Sequence, residues 1–375
     1  LDLSPLDTQN VTSMSGMFSN CNGLNALDLT PLNTQSVTNM SFMFSNCSKL
    51  TSLDLTSLDT RNVTNMSYIF RGCSRLTALD LPPQDTKNVT NMDSMFSECS
   101  GLTALDLSPL NTRKVTSMDS MFNGCSGLTN LDLTHLNTGN VTDMSYMFDG
   151  CSGLTDLDLT HLDTRKVTSM DSMFNGCRSL TTLDLSPLDT QNVTSMSGMF
   201  RECSGLTALD LSPLDTRKLQ QVAGMFNRCA SLTSLDLSML DFTNVSQVSD
   251  WNKRDDDSYG SAYGAMFEVC SSLVSLKLPE LTNKITNLAY MFQYCRKLSS
   301  VDFSQSDTSN VTDMHAMFYS CNSLKTLYLS NRFSFVGSDY LLTAGTWYSS
   351  DGTAYVSDGK SCAIPSNKAD TYTRQ

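Results

Sequence analysis

Apolar residues recur along this chain in a fixed pattern of strand-like and turn-like spacings. Residues 99–124 are representative, and their apolar positions are Cys99, Leu102, Leu105, Leu107, Leu110, Val115, Met118, Met121 and Phe122. The alternation of Leu105, Asp106 and Leu107 predicts a short strand with two inward leucines. Pro109 ends that strand, because proline lacks a backbone donor. The spacing of the later apolar residues predicts a brief extended piece and then a helical or 3₁₀ turn.

The same pattern returns every 26 residues, and cysteine marks the period. The cysteines of the pattern stand at 21, 47, 73, 99, 125, 151, 177, 203 and 229, and again at 270, 295 and 321. A fixed period of about 20–50 residues is typical of repeat architectures. A single coil of this size buries too little apolar surface to offset its chain entropy. The sequence therefore predicts a repeat solenoid in which neighbouring coils stabilise one another.

The cysteines are predicted to form a ladder of buried, reduced thiols. Of the 13 cysteines, all but Cys362 occupy one position of the coil. In stacked coils about 4.8 Å apart, such side chains point in the same direction rather than at each other, which disfavours disulfides. No Cys-x-x-Cys spacing occurs, so the sequence gives little support for a zinc site.

Composition and net charge disfavour some classes of function. The 375 residues carry a formal net charge of −13, and 40% of them are apolar. Nucleic-acid binding is disfavoured because phosphate recognition needs a basic surface. The acidic charge favours a monomer that resists self-association, and no apolar run is long enough to span a membrane. The chain opens inside a coil at Leu1, so we expect any membrane or wall anchor to lie outside this segment.

The repeat resembles that of a known family. Cys-x-x-Leu-x-x-Leu-Asp-Leu followed by Asp/Asn-Thr-x-x-Val-Thr-x-Met-x-x-Met-Phe is similar to the repeat of bacterial surface leucine-rich-repeat proteins, the BspA-like group, over residues 1 to about 330. The resemblance implies a leucine-rich-repeat solenoid with a parallel β-sheet on one face. It also implies an extracellular or cell-surface location and adhesion. It carries over no catalytic residue and no cofactor.

The Leu-Asp-Leu segments predict an acidic face. The outward aspartates are Asp2, Asp28, Asp54, Asp80, Asp106, Asp132, Asp158, Asp184, Asp210, Asp236 and Asp302, and Lys277 and Tyr328 replace them in two coils. Like charges opposite one another destabilise a sheet. Hydrogen bonds from the side chains of Thr51, Thr77, Thr103 and Thr129 are one expected compensation. The alternative is a stripe that binds cations or a basic partner.

Two other polar features are weaker candidates. Basic residues gather in the turn before the valine, at Arg61, Lys87, Arg113, Lys114, Arg165, Lys166, Arg217 and Lys218. Such a run is typically a solvated face. His135 and His161 share one coil position and could approach a metal, but no third ligand converges with them, so no metal site is predicted.

One insertion interrupts the rhythm at residues 249–263. It holds Trp251, Asp255, Asp256, Asp257, Tyr259 and Tyr263, and the next strand carries Lys277. Insertions in repeat proteins map to loops on one face, often the binding face. The aromatic rings offer stacking surface and the carboxylates could hold a cation. We take these seven residues as a candidate binding site; the alternative is an insertion that the fold merely tolerates.

The domain organisation follows from the repeat. Residues 1–330 are predicted to form about 12 coils, and residues 331–375 a C-terminal cap. In the cap, aromatic and β-branched residues flank Ser350-Asp351-Gly352, which predicts a β-hairpin.

The function expected from these features is binding, without catalysis. The three histidines do not lie near a plausible nucleophile, so the sequence offers no set of residues for acid–base or triad catalysis. The sequence predicts a surface protein that binds a host or neighbouring-cell protein or glycan. The alternative is a structural stalk that displays another domain.

Overall fold

A computed structural model of the protein describes residues 1–77, 79, 81, 86–250 and 264–375. The chain divides into two compact units, residues 1–189 and residues 190–375. Within each unit the coils stack in register and bury the predicted side chains. In the representative coil, Cys99, Val115, Met118, Met121 and Phe122 are each fully buried. The predicted core of the repeat is confirmed.

The face formed by the Met-x-x-Met and Phe-x-x-Cys segments, here called the turn face, is built from consecutive turns. Met121 N–H bonds to Met118 C=O at 3.2 Å and Cys125 N–H to Phe122 C=O at 3.1 Å. The third residue of each turn, Ser120 and Gly124, has a left-handed backbone with φ of 57° and 70°. This geometry is that of type II turns.

The helical or 3₁₀ turn predicted for this face is therefore wrong. A left-handed residue in every turn stops a helix from propagating. The intervening N–H groups also point out of the coil to its neighbour. Phe122 N–H bonds to Met147 C=O at 3.0 Å, in the next coil. The described part of the chain contains no helix, and so no helix long and apolar enough to cross a membrane.

The opposite face, formed by the Leu-Asp-Leu segments and here called the strand face, is less regular than predicted. In unit 1 the described Leu-Asp-Leu segments are not strands. The isolated parallel bridges of this unit, such as Ser117 to Asp143, lie instead directly before the turn face. The strands all belong to unit 2: β1 Ser234–Asp236, β2 Ser249–Asp250, β3 Gly264–Ala265, β4 Ser275–Lys277, β5 Ser300–Phe303, β6 Thr326–Leu329, β7 Gly345–Tyr348, β8 Ala354–Ser357 and β9 Asp370–Arg374. The continuous parallel sheet over all coils is not found in the described residues.

Three separate sheets hold these strands. Strands β1 and β4 pair in parallel, and β2 and β3 pair antiparallel where the insertion leaves and rejoins the coil. A five-stranded sheet has the order β5-β6-β9-β7-β8, in which only β5 and β6 are parallel. β7 and β8 form an antiparallel hairpin, and β9 lies antiparallel to β6. The assignment of residues 331–375 as a cap stays a proposal.

Candidate binding surfaces

The outward aspartates of the strand face act as local caps. A carboxylate oxygen of each accepts the N–H of the residue two positions later at 2.8–3.0 Å, in Asp54, Asp106, Asp132, Asp158, Asp184, Asp210 and Asp236. These bonds turn the chain directly after the strand position. The N–H groups of Ser108 and Thr160 hold the pKa values of Asp106 and Asp158 below the usual value. Asp80 lies outside the described residues.

The compensation for the acidic face therefore differs from the expected one. In the described residues the donors to the carboxylates are these local N–H groups and local hydroxyls, such as that of Thr56 to Asp54 at 2.7 Å, and not the side chains of Thr51, Thr77, Thr103 and Thr129. The N–H of Thr103 instead bonds to the Thr77 carbonyl of the preceding coil, at 3.5 Å. One oxygen of each carboxylate is thus already engaged in the fold. The use of the acidic face as a ligand surface stays a proposal.

Lys277 is the one predicted insertion-site residue that the structure describes. It lies in β4, directly opposite Asp236 of β1, and its Nζ is 2.6 Å from Asp236 Oδ2. The ammonium of Lys277, followed by the hydroxyl of Ser238, lowers the pKa of Asp236 to about 2. Both side chains are largely exposed. The remaining predicted site residues, Trp251, Asp255, Asp256, Asp257, Tyr259 and Tyr263, lie outside the described residues.

The basic residues of the turn before the valine are paired within the chain. The guanidinium groups of Arg61 and Arg165 bond to Asp59 and Asp163, two residues earlier, at 2.6 Å. Lys166 Nζ donates to Asn140 Oδ1 of the preceding coil at 2.7 Å. The charges of these arginines are thus compensated locally, whereas Lys166 bonds to a neutral amide and keeps its charge.

The two stacked histidines lie among carboxylates on the strand face. His135 and His161 are exposed, and both lower the pKa of Asp132, after the larger effect of the Thr134 N–H. Across the described ranges, no group of three or more His, Cys, Asp or Glu side chains could hold a metal ion.

The cysteines are all free thiols, and they have a partner that the sequence did not reveal. Cys125 Sγ donates to the Phe96 carbonyl of the preceding coil at 3.0 Å, and Cys229 makes the same contact with Phe200. Burial raises the pKa of the Cys73 thiol to about 12. The ladder thus joins neighbouring coils, and burial disfavours the thiolate form of its buried members.

Aromatic side chains on the turn face are the feature that most distinguishes one coil from another. Phe42, Tyr68, Tyr146 and Tyr290 occupy a left-handed position with φ of 56–61°. Other coils have glycine, serine or alanine there, as at Gly16, Ser94 and Ala316. A bulky residue in this conformation costs about 1–2 kcal/mol. Phe42 is 39% exposed and stacks on Tyr68 with ring centroids 4.5 Å apart.

The glycines of the turn face supply the signal for this geometry. Gly16, Gly198 and Gly224 share the left-handed position with the aromatic residues. A glycine recurring at one position of a repeat indicates positive φ. The recurring glycine is visible in the sequence, but serine or an aromatic residue replaces it in most coils, so the left-handed backbone was not predicted.

Comparison with solved structures finds bacterial leucine-rich-repeat proteins. One from Bacteroides ovatus is 17% identical, with a TM-score of 0.39, covering 76% of this chain and 79% of that one. Another, from Eubacterium ventriosum, is 17% identical, with a TM-score of 0.40 and coverage of 82% and 84%. A leucine-rich cell surface protein from Faecalibacterium prausnitzii is 17% identical, with a TM-score of 0.35 and coverage of 74% and 78%. None of the curated proteins matches the sequence.

A family model matches the repeat itself over most of the chain. The family is described as "Mycoplasma protein of unknown function, DUF285", and it matches residues 1–80, 75–180, 153–258 and 262–334. These matches agree with the resemblance to the BspA-like group drawn from the repeat motif. The chain belongs to the DUF285 family.

Proposed function

We propose that this chain is a non-enzymatic cell-surface protein that binds a protein or glycan of a host or neighbouring cell. The observation that carries the proposal is the set of aromatic side chains held at a left-handed position of the turn face, Phe42, Tyr68, Tyr146 and Tyr290. Strained backbone conformations cluster at functional sites. Tyrosine and phenylalanine are also enriched in the buried centres of interfaces.

A stalk that displays another domain is the second candidate, and the likeness of the coils favours it. Residues 4–18 and 186–200 are identical, as are residues 113–125 and 165–177. Interchangeable coils suit a spacer. A spacer, however, gains nothing from strained aromatic residues on its surface.

The test measures binding of the purified chain to cultured host cells and to matrix proteins coated on a surface. The insertion provides the first variant, since Trp251, Asp255, Asp256, Asp257, Tyr259 and Tyr263 remain a proposed site together with Lys277. Residues 251–263 are replaced by a short Gly-Ser linker between β2 and β3, which keeps the paired Ser249 and Ala265. Saturable binding by the intact chain supports the proposal. No binding to any of these surfaces, by a folded chain, would favour the stalk.

A further inference from the structure

Two pairs of aromatic side chains lie on the turn face of unit 2. Tyr290 N–H bonds to the His315 carbonyl at 2.9 Å, and Tyr294 N–H to the Tyr319 carbonyl at 2.8 Å. This register sets the side chains of two neighbouring coils side by side. The ring centroids of Tyr290 and His315 are 5.1 Å apart, and those of Tyr294 and Tyr319 are 5.2 Å apart, both edge to face. We call these four residues the aromatic patch.

The backbone under the patch is strained at two positions. Tyr290 and Tyr294 both have a left-handed conformation, with φ of 61° and 62°. Burial does not compensate for this strain, since both side chains are only half-buried and Tyr319 is 42% exposed. The two tyrosines are therefore presented at the surface rather than packed in the core.

Negative charge borders the patch. Asp313 accepts the backbone N–H of His315 at 2.9 Å, and Asp339 lies 2.5 Å from His315 Nδ1. The guanidinium of Arg296 lies 5.7 Å from the ring centroid of Tyr294, a distance at which a cation interacts with an aromatic face. The formal net charge of −13 adds a long-range attraction for basic molecules.

We propose that the aromatic patch docks a basic protein segment, in which arginine or lysine side chains alternate with apolar ones. This inference rests on the proposed binding function and names its partner class. Arginine and lysine bind aromatic faces through cation–π contacts, and the carboxylates of Asp313 and Asp339 complement their charge. A neutral glycan is less suited, because it would gain no attraction from the formal net charge of −13.

The chain offers a matched variant for the test. Serine naturally occupies the coil positions of all three tyrosines in the patch: Ser94 corresponds to Tyr290, Ser320 to Tyr294 and Ser97 to Tyr319. Ser94 and Ser320 are themselves left-handed. The triple variant Y290S/Y294S/Y319S should therefore fold, which thermal melting checks. Tyr328→Ser is the control, since Tyr328 is also an exposed tyrosine of unit 2, 39% exposed, but lies in β6 on the strand face.

The experiment uses the intact chain and two synthetic 12-residue peptides, one alternating Arg and Leu and one alternating Glu and Leu. Surface plasmon resonance should show that the Arg-Leu peptide binds and the Glu-Leu peptide does not. The triple variant should weaken binding about tenfold or more, as expected for loss of hot-spot tyrosines. Tyr328→Ser should change it less than twofold.

Three outcomes would overturn the inference. They are an unchanged affinity of the triple variant for the Arg-Leu peptide, equal binding of both peptides by the intact chain, and a triple variant that loses binding to a glycan array but keeps binding to the Arg-Leu peptide. Binding to host cells separates the two proposals. If the triple variant still binds cells like the intact chain, the aromatic patch is not the site and the proposed function stands.

Discussion

The side chain of Thr112 and the backbone of Asn137 are joined by two hydrogen bonds. The Thr112 hydroxyl donates to the Asn137 carbonyl at 3.0 Å and accepts the Asn137 N–H at 2.7 Å. Thr112 is buried, and Asn137 belongs to the next coil. The threonine at this coil position repeats the contact elsewhere, as Thr138 does with Asp163. Each such threonine is therefore a buried polar connection between two coils.

Replacing Thr112 by valine should lower the free energy of unfolding by about 1–3 kcal/mol, because a buried carbonyl and a buried N–H lose their partner. Thr60 is the matched control. Its hydroxyl is buried at the same coil position but has no hydrogen-bond partner among the described residues. Thr60→Val should change stability by less than about 0.5 kcal/mol or increase it. Urea denaturation compares the two variants, and equal losses would contradict this role of the threonine.

Asp119 should make the protein less stable as the pH rises through 6. Burial, then the nearby carboxylates of Asp143 and Asp93, raises the pKa of Asp119 to about 6. In the unfolded chain the same carboxyl titrates near 3.8. The folded state holds the extra proton between these values, so its stability falls as pH rises from about 4 to 6.

Asp119→Asn removes this effect while keeping a similar shape. We expect it to raise the free energy of unfolding by about 1 kcal/mol at pH 7, a value reduced for the partial exposure of the group. The gain should shrink towards zero at pH 4. Thermal melts at both pH values measure it, with Asp106→Asn on the strand face as the control. A gain that is the same at both pH values would show that charge is not the cause.

Lys277→Ala should cost about 0.5 kcal/mol at pH 7, because it removes an exposed ion pair with Asp236. The pKa of Asp236 is lowered to about 2 from an ordinary value of 3.8. The stabilisation is therefore complete above pH 4 and disappears as the pH falls from about 4 to 2. It should also weaken in 1 M salt. The exposed Lys297 provides the control variant, and an effect of Lys277→Ala that persists at pH 2 would argue for a packing role.

Thiol reagents should distinguish the folded from the unfolded protein. Burial raises the pKa values of Cys73 and Cys270 to about 12, and Cys21 is the one cysteine that is not classed as buried. At pH 8 the folded chain should label at Cys21 alone. In denaturant without reductant all 13 cysteines should label. Mass spectrometry counts the labels, and blocked thiols in denaturant would reveal disulfides.

The repeat period and the inward residues could be predicted from the sequence because both depend on hydrophobic spacing alone. The local backbone of the turn face could not. A spacing of three residues, as between Met118 and Met121, fits a helical turn and a type II turn equally well. The left-handed conformation of Ser120 decides between the two turns, and a serine in the sequence does not indicate that conformation.

The strand face shows a different limit of sequence reasoning. Lys277 and Tyr328 were visible as exceptions in the row of aspartates, but their structural effect was not. The two regular parallel pairs place Asp236 opposite Lys277 and Asp302 opposite Tyr328. Like-charge repulsion is absent from both pairs. The absence of like-charge repulsion is not sufficient for two strands to pair. Lys277 and Asp302 occupy the aspartate position in successive coils, yet their strands β4 and β5 belong to different sheets.

The hydrogen bonds between coils give the stack a direction. Cys125 donates to the coil before it, and Thr112 bonds to the coil after it. The two sides of a coil are therefore different and mutually complementary, which is the condition for head-to-tail association without closure. A bare coil end would recruit the opposite end of another molecule and begin a fibre. β6 is the last parallel strand, and β9 pairs antiparallel with it. An incoming coil therefore finds no parallel partner there.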